Sequence, residues 1–78
     1  MHIVIAKVDE VLFEGDAYSL TVPGAEGEMT VLGEHEPLIT TLKQGEARIH
    51  IVAGDTPKTF LITGGILEVR SDGATVIL

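Results

Sequence analysis

"EARIHIV", residues 46–52, alternates without a break: Ala47, Ile49 and Ile51 share one side, while Glu46, Arg48 and His50 share the other. Successive side chains of an extended chain point to opposite faces, so this segment is expected to be a strand with one buried and one wetted face. Gly54-Asp55-Thr56-Pro57 follows it and carries turn chemistry, so it reads as a hairpin connection to a second extended run, Thr59 to Thr63. On the other side, Lys43-Gln44-Gly45 is a turn, and Pro37 opens an apolar piece through Leu38, Ile39 and Leu42.

The same grammar extends outward to both ends. His2 to Val8 has apolar residues in both phases, as a strand covered on much of both faces would. Asp9-Glu10 marks a turn, Val11 to Phe13 is extended, and Glu14-Gly15-Asp16 reads as an interruption. Ala17 to Val22 places Tyr18, Leu20 and Val22 on one face and is expected to stop at Pro23-Gly24, where a backbone donor is lost and positive φ is permitted. Glu28 to Leu32 is a short strand, followed by a loop at Gly33 to Glu36. Beyond the Gly64-Gly65 break, Ile66 to Arg70 and Ala74 to Leu78 are extended, joined by the turn Ser71-Asp72-Gly73. Short strands at about 8 to 12 residue intervals, with turn residues between them, indicate an all-β sandwich or barrel.

Composition agrees. Hydrophobic residues make up 45% of the chain, yet the only aromatics are Tyr18, Phe13 and Phe60, so aliphatic side chains must fill the interior. Valine, isoleucine and threonine supply eight residues each, which favours pleated surfaces over helices. At 78 residues the chain is one domain with a thin core, so a partner covering further apolar surface would help it. No stretch approaches the roughly 20 apolar residues of a membrane-spanning helix, so no direct membrane insertion is expected.

Charge is unevenly placed. The net is -7, and from Val8 to Leu42 there are eight acids and no Lys or Arg. Such a balance repels phosphate backbones and anionic headgroups, which makes free nucleic acid a poor partner. The chain has no cysteine, which removes disulfides, thiolate nucleophiles and Cys-based zinc. His2, His35 and His50 lack ligand spacing, and neither Ser19 nor Ser71 sits in a Gly-x-Ser-x-Gly elbow. Gly24, Gly27 and Gly33 lack the Lys and Ser or Thr of a phosphate loop and stand among carboxylates. No catalytic residue, metal or cofactor is expected from these patterns.

Four motifs in order carry a resemblance: Leu12-Phe13-Glu14-Gly15; Pro23-Gly24-Ala25-Glu26-Gly27-Glu28; His35-Glu36-Pro37-Leu38-Ile39-Thr40-Thr41-Leu42-Lys43-Gln44-Gly45; and Thr63-Gly64-Gly65-Ile66-Leu67-Glu68-Val69. Together they make the chain similar to the N-terminal β-sandwich domain of the ATP synthase epsilon subunit, called delta in mitochondria. The resemblance implies a small sandwich of two mostly antiparallel sheets, and a non-catalytic part of the rotor stalk. There it would couple the gamma subunit to the membrane c-ring, on the cytoplasmic face of the energy-transducing membrane. It implies that Glu26, Gly27 and Glu28 meet the c-ring, and that His35, Thr40, Leu38, Lys7, Thr63, Glu68 and Thr75 lie toward gamma. An uncovered gamma-facing surface would also favour self-association of the isolated domain. The alternative is a small ligand- or peptide-binding sandwich using an exposed sheet edge. Two departures stand out. Gly33-Glu34 replaces the Pro-Gly usual before the histidine, and the chain stops at Leu78 where bacterial epsilon subunits generally continue into two helices. The expectation is therefore a single epsilon-type domain over 1–78, without the helical hairpin.

Overall fold

The computed structural model describes all 78 residues as nine strands and their connections, with no helix. In chain order they are β1 (His2–Lys7), β2 (Glu10–Asp16), β3 (Ser19–Gly24), β4 (Gly27–Leu32), β5 (Leu38–Leu42), β6 (Gly45–His50), β7 (Lys58–Ile62), β8 (Gly65–Arg70) and β9 (Gly73–Ile77). Hydrogen bonding runs in the order β2-β1-β9-β8-β5-β3-β6-β7, with β4 paired to β3. All pairs are antiparallel except β1 with β9.

The two layers of the sandwich are thus one continuous sheet that curls back on itself. β2-β1-β9-β8-β5 forms the first layer and β4-β3-β6-β7 the second, joined where Gly24 of β3 meets Leu42 of β5. The free edges β2 and β7 approach each other, and Phe13 and Phe60 close the gap edge to face with centroids 6.4 Å apart. Between the layers lies an aliphatic core in which Ile3, Ile5, Leu20, Val31, Ile49 and Leu67 are fully buried. Alternation on β6 holds as read from the sequence, with Ala47 and Ile49 inside. No buried side-chain polar atom lacks a partner, and the two buried polar residues sit on β3, where Thr21 pairs with Thr30 of β4 at 2.9 Å.

Two expected breaks are strand. Glu14-Gly15-Asp16 continues β2, because each residue pairs with β1: Glu14 with Val4, Gly15 with Ile3 and Asp16 with His2. The acids alternate outward to solvent, while Gly15 leaves room for the Phe13 ring. Pro23-Gly24 ends β3 from inside the strand, opposite Glu28 and Gly27. Proline is tolerated there because its ladder neighbour β6 pairs only with residues 19–21, and its carbonyl still accepts from Lys43 N–H at 2.9 Å.

The Gly33-Glu34 departure has a structural expression. Glu34 adopts φ +67°, the left-handed region in which a side chain costs about 1 kcal/mol or more. Replacing Glu34 with glycine is expected to relieve that strain and, after the added freedom of the unfolded chain, stabilise the domain by about 0.5 kcal/mol. Thermal melts of the two proteins would check this, with a lowered midpoint for the variant contradicting it.

Candidate interaction surface

The outer faces of the two layers differ in chemistry. On the first layer the register aligns side chains into rows that cross the strands. One row runs Val11 (β2), Ala6 (β1), Ile77 (β9), Ile66 (β8) and Thr41 (β5). The next runs Glu14, Val4, Thr75, Glu68 and Ile39 on the same strands. Val11, Ile77 and Ile66 are 59%, 48% and 48% exposed, and Ile39 is 73% exposed. These are apolar residues in the outward phase of strands, where a monomer would carry polar ones. The central row of the second layer is polar, Thr30, Thr21, Arg48 and Thr59, and its exposed leucines, Leu32 of β4 and Leu61 of β7, stand apart from each other on its two edge strands.

A β-bulge shapes the first face. The register between β1 and β2 slips after Ile5, so Ile5 faces Phe13 and Ala6 faces Val11, with Leu12 as the extra residue. Leu12 and Phe13 both pack on the core, and Val11 is left outside.

Polar groups border the apolar rows and are tied down. Arg70 bonds Glu68 at 3.1 Å, Thr75 Oγ1 at 2.9 Å and Asp72 at 3.3 Å. His2 lies 3.3 Å from Glu14 and 3.8 Å from Asp16. Glu68 and Thr75 are therefore neighbours on this face, directly opposite each other and joined through Arg70.

The remaining residues assigned to gamma fall in three other places. Lys7 and Thr63 line one open cleft of about 340 Å³ with Val8, Leu61 and Leu78. Leu38 and Thr40 lie opposite Val69 and Leu67, in the inward phase of β5, and Leu38 packs against the core. His35 sits in the β4–β5 loop, where its Nδ1–H donates to the Glu36 carbonyl at 2.8 Å. Sequence reasoning missed Val11, Ile39, Ile66, Ile77 and Arg70. The available signal was an apolar residue in the outward phase of each strand, as with Ile39 and Thr41 beside inward Leu38, Thr40 and Leu42.

Glu26, Gly27 and Glu28 form and follow the tight β3–β4 turn, which starts and ends at the pair Gly24 and Gly27. Gly27 has φ +134°, which a side chain rarely adopts. The turn is braced by Ala25 N–H donating to the Thr41 carbonyl at 3.0 Å. The two acids are not equivalent: Glu28 lies 3.1 Å from Arg48 of β6, whereas Glu26 has no ion-pair partner. The absence of nearby basic residues in sequence is thus partly made good by folding.

The fold is thus a nine-stranded β-sandwich with aligned apolar residues on one outer face and an acidic hairpin tip. The chain belongs to the family described as ATP synthase, Delta/Epsilon chain, beta-sandwich domain, whose model matches residues 1–78. A relative from Herminiimonas arsenicoxydans named ATP synthase epsilon chain is 36% identical over 77 residues, covering 99% of this chain and 55% of that protein. One from Caulobacter vibrioides with the same name is 35% identical, covering 99% of this chain and 87% of that protein. The chain thus spans about half the length of the first relative and most of the second.

Among solved structures, a chain of the Euglena gracilis mitochondrial ATP synthase, in an assembly of OSCP, F1 and c-ring, superposes with a TM-score of 0.86 at 25% identity. It covers 96% of this chain and 48% of that one. A chain of the Tetrahymena thermophila mitochondrial ATP synthase central stalk and c-ring gives 0.80 at 18% identity, covering 99% and 61%, and shares the fold.

Proposed function

We propose that this domain is a non-catalytic part of the central stalk of a proton- or sodium-translocating ATP synthase, linking the gamma subunit to the c-ring on the cytoplasmic side of the membrane. The observation that supports it most is the alignment of apolar residues on the outer face of the first layer: Val11, Ile66 and Ile77 share one row with Ile39 in the next, where the central row of the opposite layer is threonine and arginine and its exposed leucines stand apart on the edge strands. Burying that surface on gamma would supply hydrophobic stabilisation of roughly 25 cal/mol per Å² and compensate for a thin core. In this reading torque passes through the sandwich as a rigid block, and the chemistry of ATP takes place elsewhere in the complex.

The hairpin tip serves the ring. Glu26 and Glu28 would face the polar loops of the c-ring, with Glu26 carrying the greater share because Arg48 already neutralises Glu28. Rim charges act mainly on association rate and orientation, and salt screens them over about 8 Å at physiological ionic strength. Glu26→Lys is therefore expected to slow association of the chain, in complex with gamma, with purified c-ring at low salt, more than Glu28→Lys does. The difference should fade as salt is raised. Equal association rates for wild type and both variants at low salt would contradict the assignment of the tip.

A further inference from the structure

The apolar row on the first layer has a spacing as well as a composition. Ile66, Ile77, Ala6 and Val11 are direct cross-strand neighbours on four successive strands, so they form a line across the strands with one residue on each. Adjacent strands lie about 4.8 Å apart, and an α-helix advances about 5.4 Å per turn. A helix laid along this line would set one residue of its apolar stripe against each strand over about three turns. An extended segment fits poorly: its same-side residues recur at about 6.7 Å, and this face offers no free edge for main-chain pairing except at β2 and β5.

Charge adds a direction. The row beside the line carries Glu14 and Glu68, and Asp16 and Asp72 lie beyond it. Arg70 is the one Arg or Lys among them, and it is already engaged by Glu68, Asp72 and Thr75. This flank is net acidic, while Val4 continues the apolar surface between Glu14 and Glu68, and Ile39 continues it beyond Glu68.

We infer that the partner docks on this face through an amphipathic α-helix crossing the strands, its apolar residues at i, i+3 or i+4, i+7 and i+11 resting in turn on Ile66, Ile77, Ala6 and Val11, with Lys or Arg on the side toward Glu14 and Glu68. The inference rests on the central-stalk reading, in which gamma supplies the helix. It adds the secondary structure, the direction and the flanking charge of what gamma presents.

Because the chain has no cysteine, single cysteines at Val11, Ile77 and Ile66 can each carry a short photo-crosslinker in the complex with the same organism's gamma subunit. The expected result is that the three positions label one continuous stretch of gamma, in the order of the strands, with the Ile66 and Ile77 centres about three or four residues apart and the Val11 centre about seven residues beyond that of Ile77, since Ala6 lies between them. Ile66 and Ile77 centres only two residues apart, centres scattered over separate segments, or no labelling from an intact complex would overturn the helix.

Binding strength gives an independent readout. Ile66→Asp and Ile77→Asp are each expected to weaken the complex by about 30-fold or more, as loss of a central apolar anchor does, while Thr59→Asp on the opposite layer binds as wild type. Far-ultraviolet circular dichroism would verify that all three variants are folded. If folded Ile66→Asp and Ile77→Asp bind as wild type, the docking helix is wrong and the stalk reading stands. If the wild-type chain forms no complex with gamma, both fall together.

Discussion

Replacing Gly65 with alanine is expected to cost about 3 kcal/mol or more, a large share of what holds a domain this small together. Two independent causes add. Gly65 has φ +144°, a conformation that L side chains rarely adopt. A Cβ placed there would also stand 2.5 Å from the Ile77 carbonyl oxygen and 3.1 Å from Leu78 Cδ2. The oxygen is main chain of the adjacent strand, so relief requires moving β9 at the pair of Ile66 with Ile77. A domain of this length holds only about 4–12 kcal/mol in total. Gly33→Ala is the matched control: nothing lies within 4 Å of its built Cβ and its φ is not positive. Urea unfolding should give a much reduced midpoint for Gly65→Ala and a nearly unchanged one for Gly33→Ala. Equal midpoints would mean that β8 and β9 part easily.

Leu67→Ala is expected to be nearly as damaging. Leu67 is fully buried at the centre of β8, flanked by Val76 of β9 and Thr40 of β5. Truncating such a leucine loses its transfer free energy and leaves a cavity that neighbours only partly fill, together about 2–5 kcal/mol. Strands fixed on both sides by hydrogen bonds have little freedom to collapse inward, which favours the upper part of that range. Leu61→Ala, by contrast, removes a side chain that is 88% exposed and should change stability by under about 0.5 kcal/mol. Calorimetric melts of the two variants should separate widely, and a Leu67→Ala melt within a degree or two of wild type would show that the core is loosely packed.

What could be read from the sequence depended on how local the cause was. The phase of β6 was visible because Ala47 and Ile49 alternate with charged residues, and alternation is a property of the strand itself. The break at Gly64-Gly65 was also legible, since adjacent glycines punctuate the chain wherever they fall, and β7 ends at Ile62 with β8 starting at Gly65. Where two strands must pair before a residue's state is decided, local signals misled. Glu14-Gly15-Asp16 has turn composition, yet pairing with β1 holds it extended, and Pro23 remains in β3 because the ladder with β6 stops at Thr21 and side-chain-free Gly45 of β6 leaves space for its ring.

The candidate surface was less legible for the same reason. Its rows exist only through the register of five strands, so Val11 and Ile66, distant in sequence, gave no sign of sharing a line. Thr40 and Leu38 were assigned together with Glu68 and Thr75, but the first pair lies in the inward phase of β5 and the second on the outer face. Glu28 looked unbalanced because its partner, Arg48, arrives from another strand.

This placement also decides how gamma binding should be tested. Leu38→Asp would put a charge against the core and confuse unfolding with loss of binding, whereas Ile39 is 73% exposed and can be changed without touching the interior. The most direct test is co-purification of the chain with its own organism's gamma subunit, comparing wild type, Ile39→Asp and Glu28→Lys. A stable complex is expected with wild type, a clearly weakened one with Ile39→Asp, and one retained with Glu28→Lys. Absence of any complex with wild type, at every concentration tested, would contradict the central-stalk assignment.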